Sequence, residues 1–370
     1  MSRDLTSTLK VAAVPVVGVL ALAFAWTHHP HGLGFIVLLA ILMAAVLTAV
    51  SHAEVIAHRV GEPLGALVLA LCVTVIEASL IISMMFSHHG EGDTVARDTV
   101  FAAVMIVCNG VVGISILANT RRHQVARFQK AGTNALLATV IALASLALVL
   151  PAFTTSKHAT TFSHGQLVYS AVASLAIYAV FLFTQVIRHS DDFQALTVTG
   201  SVAVVAGVDD GGESATPTTG ATWISVGLLL ISLIVVVGLA HVLSIPLEEK
   251  AAAIGLPQAV VGLGIALLVL LPETLAAVRA ARDDRMQTSL NLSLGSAIAS
   301  IGLTIPTVAV AAIVLHHSIT LALGPQDLIL FAITAVIASI TLSNGEATIL
   351  QGAIHVVIFS AFVYVAFVPL

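Results

Sequence analysis

The chain has 370 residues, of which 58% are hydrophobic and only 9% charged, and its mean hydropathy is +1.07. A water-soluble protein of this length could not cover its surface with so few charges, so the composition specifies a polytopic membrane protein. The net charge of −5 carries little by itself, because charges in such a protein are confined to loops and the sign of each loop matters more.

Runs apolar and long enough to cross a bilayer follow one another along the chain. The first, at about 11–27, begins after Lys10. It has a rival reading as a signal peptide ending near Ala23-Phe24-Ala25, but its length and Trp26, an interfacial anchor, favour a retained helix. Further runs lie at about 34–50, 64–86, 99–119, 134–153 and 167–187. After a polar stretch they resume at about 222–243, 258–278, 288–315, 328–342 and 348–369, the fourth of these limited by Gly324-Pro325. The expected fold is all-α, with eleven transmembrane helices. Its segments are an extra N-terminal helix (1–30), a first five-helix repeat (31–188), an acidic cytoplasmic linker (189–221) and a second repeat (222–370).

Basic residues orient the bundle. With the N-terminus cytoplasmic, the inner loops hold Arg3, Lys10, Arg59, Arg121, Arg122, Arg127, Lys130, Arg188, Arg279, Arg282 and Arg285, and the outer loops only Arg97, Lys157 and Lys250. This positive-inside bias puts the C-terminus outside and supports the span count, since one missed helix would scramble it. The expected location is a bacterial inner membrane, with the C-terminus periplasmic. The Arg121–Lys130 loop reads as a topology signal rather than a lipid site.

Two carboxylates fall deep inside the spans, Glu77 and Glu273, and each has the same place in its repeat. Gly61-Glu62-Pro63, an apolar run and Val73-Thr74-Val75-Ile76-Glu77 match Gly255-Leu256-Pro257, an apolar run and Val269-Leu270-Leu271-Pro272-Glu273. The following span matches too: Arg97-Asp98 leads to Asn109-Gly110, and Asp283-Asp284 leads to Gly295-Ser296, both offset by 186 residues. The glutamates differ by 196, and the ten extra residues fit an insertion in the Ser87–Thr94 stretch. An odd number of spans per repeat inverts the second copy relative to the first, which is the architecture of many secondary transporters.

An ionised carboxylate in hydrocarbon is costly, so an intramembrane acid marks a functional site by default, and two at equivalent positions suggest one shared cation site. Calcium takes six to eight oxygen ligands. Glu77 and Glu273 would neutralise its charge, with Asn109, Ser296, Asn291 and backbone carbonyls completing the shell, and Thr74 one turn from Glu77 offering another oxygen. Pro272 lacks an N–H and clashes with the carbonyl of Leu268, so a helix break there would free such carbonyls. Burial favours the protonated acids when the site is empty, so protons and cation compete for the pair, and the two titrate as a unit. Small residues such as Gly110, Gly113, Gly295, Ser300 and Gly302 serve helix packing equally well.

Other features carry less. Cys72 and Cys108 read as buried filler. The loop histidines His28, His29, His31, His88, His89, His158, His164, His316 and His317 form no metal pattern, though they could sense pH. His355, in the last span, reads as a satisfied interior group rather than a proton relay. The linker acids Asp191, Asp192, Asp209, Asp210 and Glu213 suit a flexible connector, with calcium sensing as the sharper alternative. No phosphate-binding glycine loop and no nucleophile–base constellation occurs, so nothing points to an ATPase or another enzyme, to nucleic acid or to a cofactor.

The stretches Thr74–Glu77 with Arg97–Met105, and Leu271-Pro272-Glu273 with Thr288–Ser296, resemble the cation/calcium exchanger superfamily, specifically its ChaA-type bacterial calcium/proton antiporter branch. The resemblance spans nearly the whole chain. It implies eleven helices with one extra at the N-terminus, alternating access between the repeats, and cation and proton binding at Glu77 and Glu273. The wider superfamily has Gly-Asn just before each glutamate, where this chain has Val73-Thr74-Val75-Ile76 and Leu270-Leu271-Pro272. The sequence thus points to a proton-driven antiporter expelling Ca²⁺. The alternative is Na⁺ or K⁺ exchange at the same site, and a passive cation channel is a more distant one. The transported ions and the bilayer are the expected partners, and the oligomeric state is left open.

Overall fold

The computed structural model describes residues 2–28, 32–60, 64–87, 94–153, 164–188, 190–193, 218–316 and 318–368. Gly61-Glu62-Pro63, residues 88–93 and 194–217, and His29, His31, His88, His89, His158 and His317 lie outside them. The helices are α1 (Ser2–Thr27), α2 (Leu33–Val60), α3 (Leu64–Ser87), α4 (Val95–Asn119), α5 (Lys130–Phe153) and α6 (His164–Arg188). They continue with α7 (Thr219–Ala253), α8 (Gln258–Arg282), α9 (Met286–Val314), α10 (Pro325–Leu342) and α11 (Ile349–Phe367). Among the described residues nine of these are long and apolar enough to cross a membrane; α1 and α3 hold shorter apolar stretches, Ala13–Thr27 and Leu71–Met85. Helix is what such sequences must form in lipid, where each backbone N–H and C=O needs an internal partner.

The helices group into two compact units that cut across the two sequence repeats. The first unit holds α1, α2, α3 and α7. In it α1 and α7 run parallel at close range. A Cβ on Gly18 would lie 2.6 Å from the Val235 side chain, and one on Gly238 would lie 2.6 Å from Leu22, so two glycines allow the approach. Helix α2 runs antiparallel to α7: Arg59 Nη2 donates to Thr219 Oγ1 at 3.2 Å at one end, and Lys250 Nζ stands 5.2 Å from the Phe35 ring centroid at the other. Helix α3 packs against both α2 and α7.

The second unit holds α4–α6 and α8–α11 around α4, whose apolar stretch is 89% buried. Its loops gather at two ends. At one, Thr94 donates to Gln258 Oε1 (3.2 Å), Arg97 Nη1 to the Ala322 carbonyl (3.3 Å) and the Leu323 amide to the Leu148 carbonyl (3.1 Å). At the other, Asn119 bonds Ala281 and Asp284, and Gln287 accepts from the Gln129 amide at 2.7 Å. That second end also carries a small antiparallel ribbon, β1 (Val125–Arg127) with β2 (Glu346–Thr348), pairing Ala126 with Ala347. An all-helical expectation misses this ribbon. The loops after α4 and α10 cross there with Ala126 and Ala347 fully buried, and Thr348 then caps α11 in a capping box with Gln351.

Among the described residues π turns lie near the ends of α5 (Ser145–Val149) and α6 (Thr184–Arg188), and two others occupy the middle of long helices. Helix α4 carries a π turn at Ile106–Val111 and α9 one at Ser300–Thr304. Helix α8, by contrast, continues unbroken from Gln258 to Arg282 through Pro272. The expected break at Pro272 is therefore absent. One missing N–H costs a single ladder bond, and close packing against α4 and α9 holds the helix together.

Candidate functional site

Glu77 belongs to the first unit. It lies on the same face of α3 as Thr74, one turn earlier, and the two are 2% and 6% exposed. Val73, Ile76 and Ile81 of the same helix are buried as well. Nothing in the helix itself requires a carboxylate there, and the position costs stability unless the group is neutral or compensated.

Glu273 belongs to the second unit. It lines a crevice with Thr274 and Leu270 of α8, Ser293 and Ser296 of α9, and Val107 and Val111 from the π turn of α4. The crevice admits no water-sized sphere in this conformation. The lining thus holds one carboxylate and three hydroxyl side chains beside apolar residues, and the Ser293 hydroxyl donates to the Ser289 carbonyl of its own helix at 2.8 Å. Carboxylate and hydroxyl oxygens are hard donors of the kind that bind alkali and alkaline-earth cations. Val107 and Val111, both of the π turn, stand on the crevice side, and π turns are frequent at functional sites.

The other expected ligands lie elsewhere. Asn109, in the same π turn and fully buried, donates through Nδ2 to Thr334 Oγ1 (2.9 Å) and faces His355 Nδ1 with Oδ1 (3.1 Å). Asn291 accepts from Gln287 Nε2 at 2.8 Å and donates to the Phe193 carbonyl, at the end of the unit where Gln287 joins α9 to α5. The structure thus brings Glu273 and Ser296 together, and Glu77 and Thr74 together, while Asn109 and Asn291 have protein partners of their own. Thr274 and Ser293 were missed from sequence. Ser293 stands one turn before Ser296 and Thr274 directly follows Glu273, so helical spacing was the available signal. Among the described residues no group of three or more His, Cys, Asp and Glu side chains gathers to hold a metal.

Of the small residues, Gly113 and Gly302 serve close packing. A Cβ at Gly113 would lie 2.9 Å from His355 Cβ and 3.0 Å from the Gly352 carbonyl, and one at Gly302 2.8 Å from Tyr178 Cβ. A Cβ at Gly295 would meet nothing within 4 Å. His355 is itself fully buried, with Asn109 on Nδ1 and Thr341 Oγ1 3.2 Å from Nε2.

The family model for the sodium/calcium exchanger protein matches this chain twice, over residues 31–187 and 224–368. The chain is 43% identical over 363 residues to a candidate ionic transporter, y4hA, of Sinorhizobium fredii (strain NBRC 101917 / NGR234), covering 96% of this chain and 95% of the relative. It is 32% identical over 334 residues to the sodium-potassium/proton antiporter ChaA of Escherichia coli (strain K12), covering 88% and 86%. Among solved structures the H⁺/Ca²⁺ exchanger CAX superposes with a TM-score of 0.72 at 16% identity, covering 98% of this chain and 88% of that one. Native YfkE superposes with a TM-score of 0.68 at 15% identity, covering 97% and 99%. These two structural likenesses speak to the fold. With a carboxylate within an apolar helix of each half and a family match to each half, the chain belongs to the sodium/calcium exchanger family of the cation/calcium exchanger superfamily, and is a multi-pass secondary transporter rather than an enzyme.

Proposed function

We propose that this protein is a proton-coupled cation antiporter in which protons and cation compete for Glu77 and Glu273. One observation carries the reading: each half of the chain places one carboxylate within an apolar helix, and the crevice lined by Glu273 also holds three hydroxyl side chains, Thr274, Ser293 and Ser296. A carboxylate there binds a proton or a cation, and a site that can hold either but not both makes the two fluxes obligatorily opposed.

Ca²⁺ is the cation proposed first, because two carboxylates balance its charge and hydroxyl and carbonyl oxygens suit its coordination. Exchange of Na⁺ or K⁺ for protons at the same residues is the second reading, supported by the 32% identity to a relative named as a sodium-potassium/proton antiporter. The proposed arrangement is eleven spans in a bacterial inner membrane, N-terminus cytoplasmic and C-terminus periplasmic, with two inverted five-helix repeats that alternate access. The deciding measurement adds Ca²⁺, Na⁺ and K⁺ separately to purified protein and records proton release, followed by exchange in liposomes under an imposed proton gradient. Proton release by Ca²⁺ alone supports the first reading, release by the monovalent ions alone replaces it with the second, and flux without proton coupling removes both.

A further inference from the structure

Four fully or almost fully buried polar side chains of the second unit form one connected chain: Asn109, Thr334, Thr341 and His355. It joins three helices, α4, α10 and α11, and passes through Asn109 of the π turn that walls the Glu273 crevice. The crossing of α4 and α11 makes it possible. Gly113 and Gly352 face each other so closely that a Cβ on the first would lie 3.0 Å from the carbonyl of the second, and this approach delivers His355 to the π turn.

The direction of every bond in the chain follows from its donors and acceptors. The single hydroxyl proton of Thr334 goes to the Leu330 carbonyl at 2.8 Å, so its oxygen accepts from Asn109 Nδ2 at 2.9 Å. That fixes the Asn109 amide and turns its Oδ1 towards His355 Nδ1, 3.1 Å away. A carbonyl oxygen only accepts, so Nδ1 carries the hydrogen. Nε2 of a neutral ring is then an acceptor, and the Thr341 hydroxyl, 3.2 Å away, donates to it. His355 also reaches the Cys108 backbone, within the same π turn. Its partners are an amide, a hydroxyl and a peptide group, none of them charged.

We propose that His355 is a positioning residue for exchange: as a neutral imidazole protonated at Nδ1, it holds Asn109 and thereby the π turn whose Val107 and Val111 wall the Glu273 crevice. This rests on the reading of that crevice as a cation site. A π turn carries one residue more than its helix needs and has a regular α-helical alternative close by. A fully satisfied buried network selects one of the two registers, and removing a member leaves buried polar atoms without partners. The last helix of the chain thus sets the shape of a site it does not line.

The test compares three substitutions at one position. Asparagine places an N–H where Nδ1 stands, glutamine places its amide where Nε2 stands, and leucine supplies neither. His355→Asn is expected to keep a half-saturation for the transported cation close to wild type, with an unchanged pH dependence. His355→Gln and His355→Leu are expected to raise that half-saturation by about 2- to 30-fold, the usual range for coupling through a packed network. Thr334→Val, which removes the acceptor of Asn109 without touching His355, is expected to act in the same direction. Nitrogen-15 spectra of the labelled wild-type imidazole are expected to show the neutral Nδ1–H form across the pH range of exchange. Wild-type half-saturation in folded His355→Leu or in Thr334→Val overturns the proposal, as does equal loss in His355→Asn and His355→Leu, or a titrating ring. If His355→Leu does not fold, Thr334→Val and the spectrum decide. If the wild type moves no cation, the site reading fails, and the spectrum still tests the imidazole on its own.

Discussion

Asn119, at the last residue of α4, reaches across to the turn between α8 and α9, where its Nδ2 donates to Asp284 Oδ1 at 3.1 Å and to the Ala281 carbonyl at 3.0 Å. Asp284 sits at φ +62°, a left-handed conformation that Asp adopts more readily than most residues. His123 Nε2 lies 3.2 Å from its other carboxylate oxygen. A buried amide thus pins a backbone turn that carries Arg282, Asp283 and Arg285. Asn119→Ala should cost about 0.5–1.5 kcal/mol, because the turn loses the amide's hydrogen bonds while the Ala281 carbonyl keeps the Asp284 amide at 3.3 Å. Asp284→Gly should cost less, since the Asp284 side chain is 59% exposed and glycine relaxes the turn. Thermal midpoints of the purified variants in one detergent check this, and a wild-type midpoint for Asn119→Ala would remove the pin.

Two glycines that look alike in sequence should respond oppositely to alanine. At Gly113 the added Cβ would meet His355 Cβ at 2.9 Å and the Gly352 carbonyl at 3.0 Å, forcing α4 and α11 apart. Overpacking of this kind typically costs about 1–3 kcal/mol. At Gly295 the Cβ meets nothing within 4 Å, and alanine is the better helix former, so Gly295→Ala should fold at least as stably as wild type. Midpoints that fall equally for both would contradict the packing geometry.

The order of apolar runs was legible because in lipid the period of hydrophobicity matters less than its length. Acids within apolar helices such as Glu77 and Glu273 were legible for the converse reason, since a charge in an apolar run stands out. What was not legible is what depends on the partner of a residue. Asn109 and Ser296 have similar credentials as oxygen ligands in sequence, yet one side chain is turned to Thr334 and His355 and the other to the crevice. Pro272 carries a local signal for a break that tertiary packing overrides, whereas the π turn at Ile106–Val111 contains no proline to announce it, and at Ser300–Thr304 the signal is Pro306, just beyond the turn. The ribbon of Val125–Arg127 with Glu346–Thr348 joins loops more than 200 residues apart, and no local pattern encodes such a pairing.

That ribbon makes a topology prediction independent of charge. It places the loop after α4 and the loop before α11 at one end of the second unit, together with the turn after α8. Single cysteines at the exposed positions Arg122, Asp283 and Asn344, in a background lacking Cys72 and Cys108, should share one accessibility. A cysteine at Ser318, between α9 and α10, should show the opposite one. The positive-inside bias assigns the first three to the cytoplasm. A membrane-impermeant reagent applied to intact cells should therefore label Ser318→Cys alone. Labelling that divides the first three positions would break the ribbon topology, and labelling of those three with sparing of Ser318→Cys would invert the orientation.

Glu77→Gln and Glu273→Gln should each reduce exchange to the level of empty liposomes while leaving the protein folded. Glutamine keeps the shape and one acceptor oxygen but can neither ionise nor trade a proton. The two variants are informative separately, because Glu77 and Glu273 belong to different units. A variant that retains most of the wild-type rate takes its glutamate out of the mechanism. Loss of folded protein would be a structural effect, visible by size-exclusion chromatography before any transport is measured.

Coupling makes the final prediction. Under the proposed function, cation binding at Glu77 and Glu273 requires their ionised forms, so each proton on these acids must leave as the cation arrives. Raising proton concentration should then raise the apparent half-saturation for the cation, by up to about tenfold per pH unit for each proton displaced. Two carboxylates can release at most two protons, so one Ca²⁺ displacing both gives an electroneutral cycle, and a membrane potential should leave its rate unchanged. One Na⁺ displacing one proton is likewise electroneutral but halves the proton count per cation. The slope of half-saturation against pH therefore distinguishes the two substrates by stoichiometry as well as by identity. Glu77→Gln and Glu273→Gln should each lower the number of protons released on cation addition. A cation affinity that is flat across the pH range in which wild-type protein releases protons would detach the binding site from these two acids.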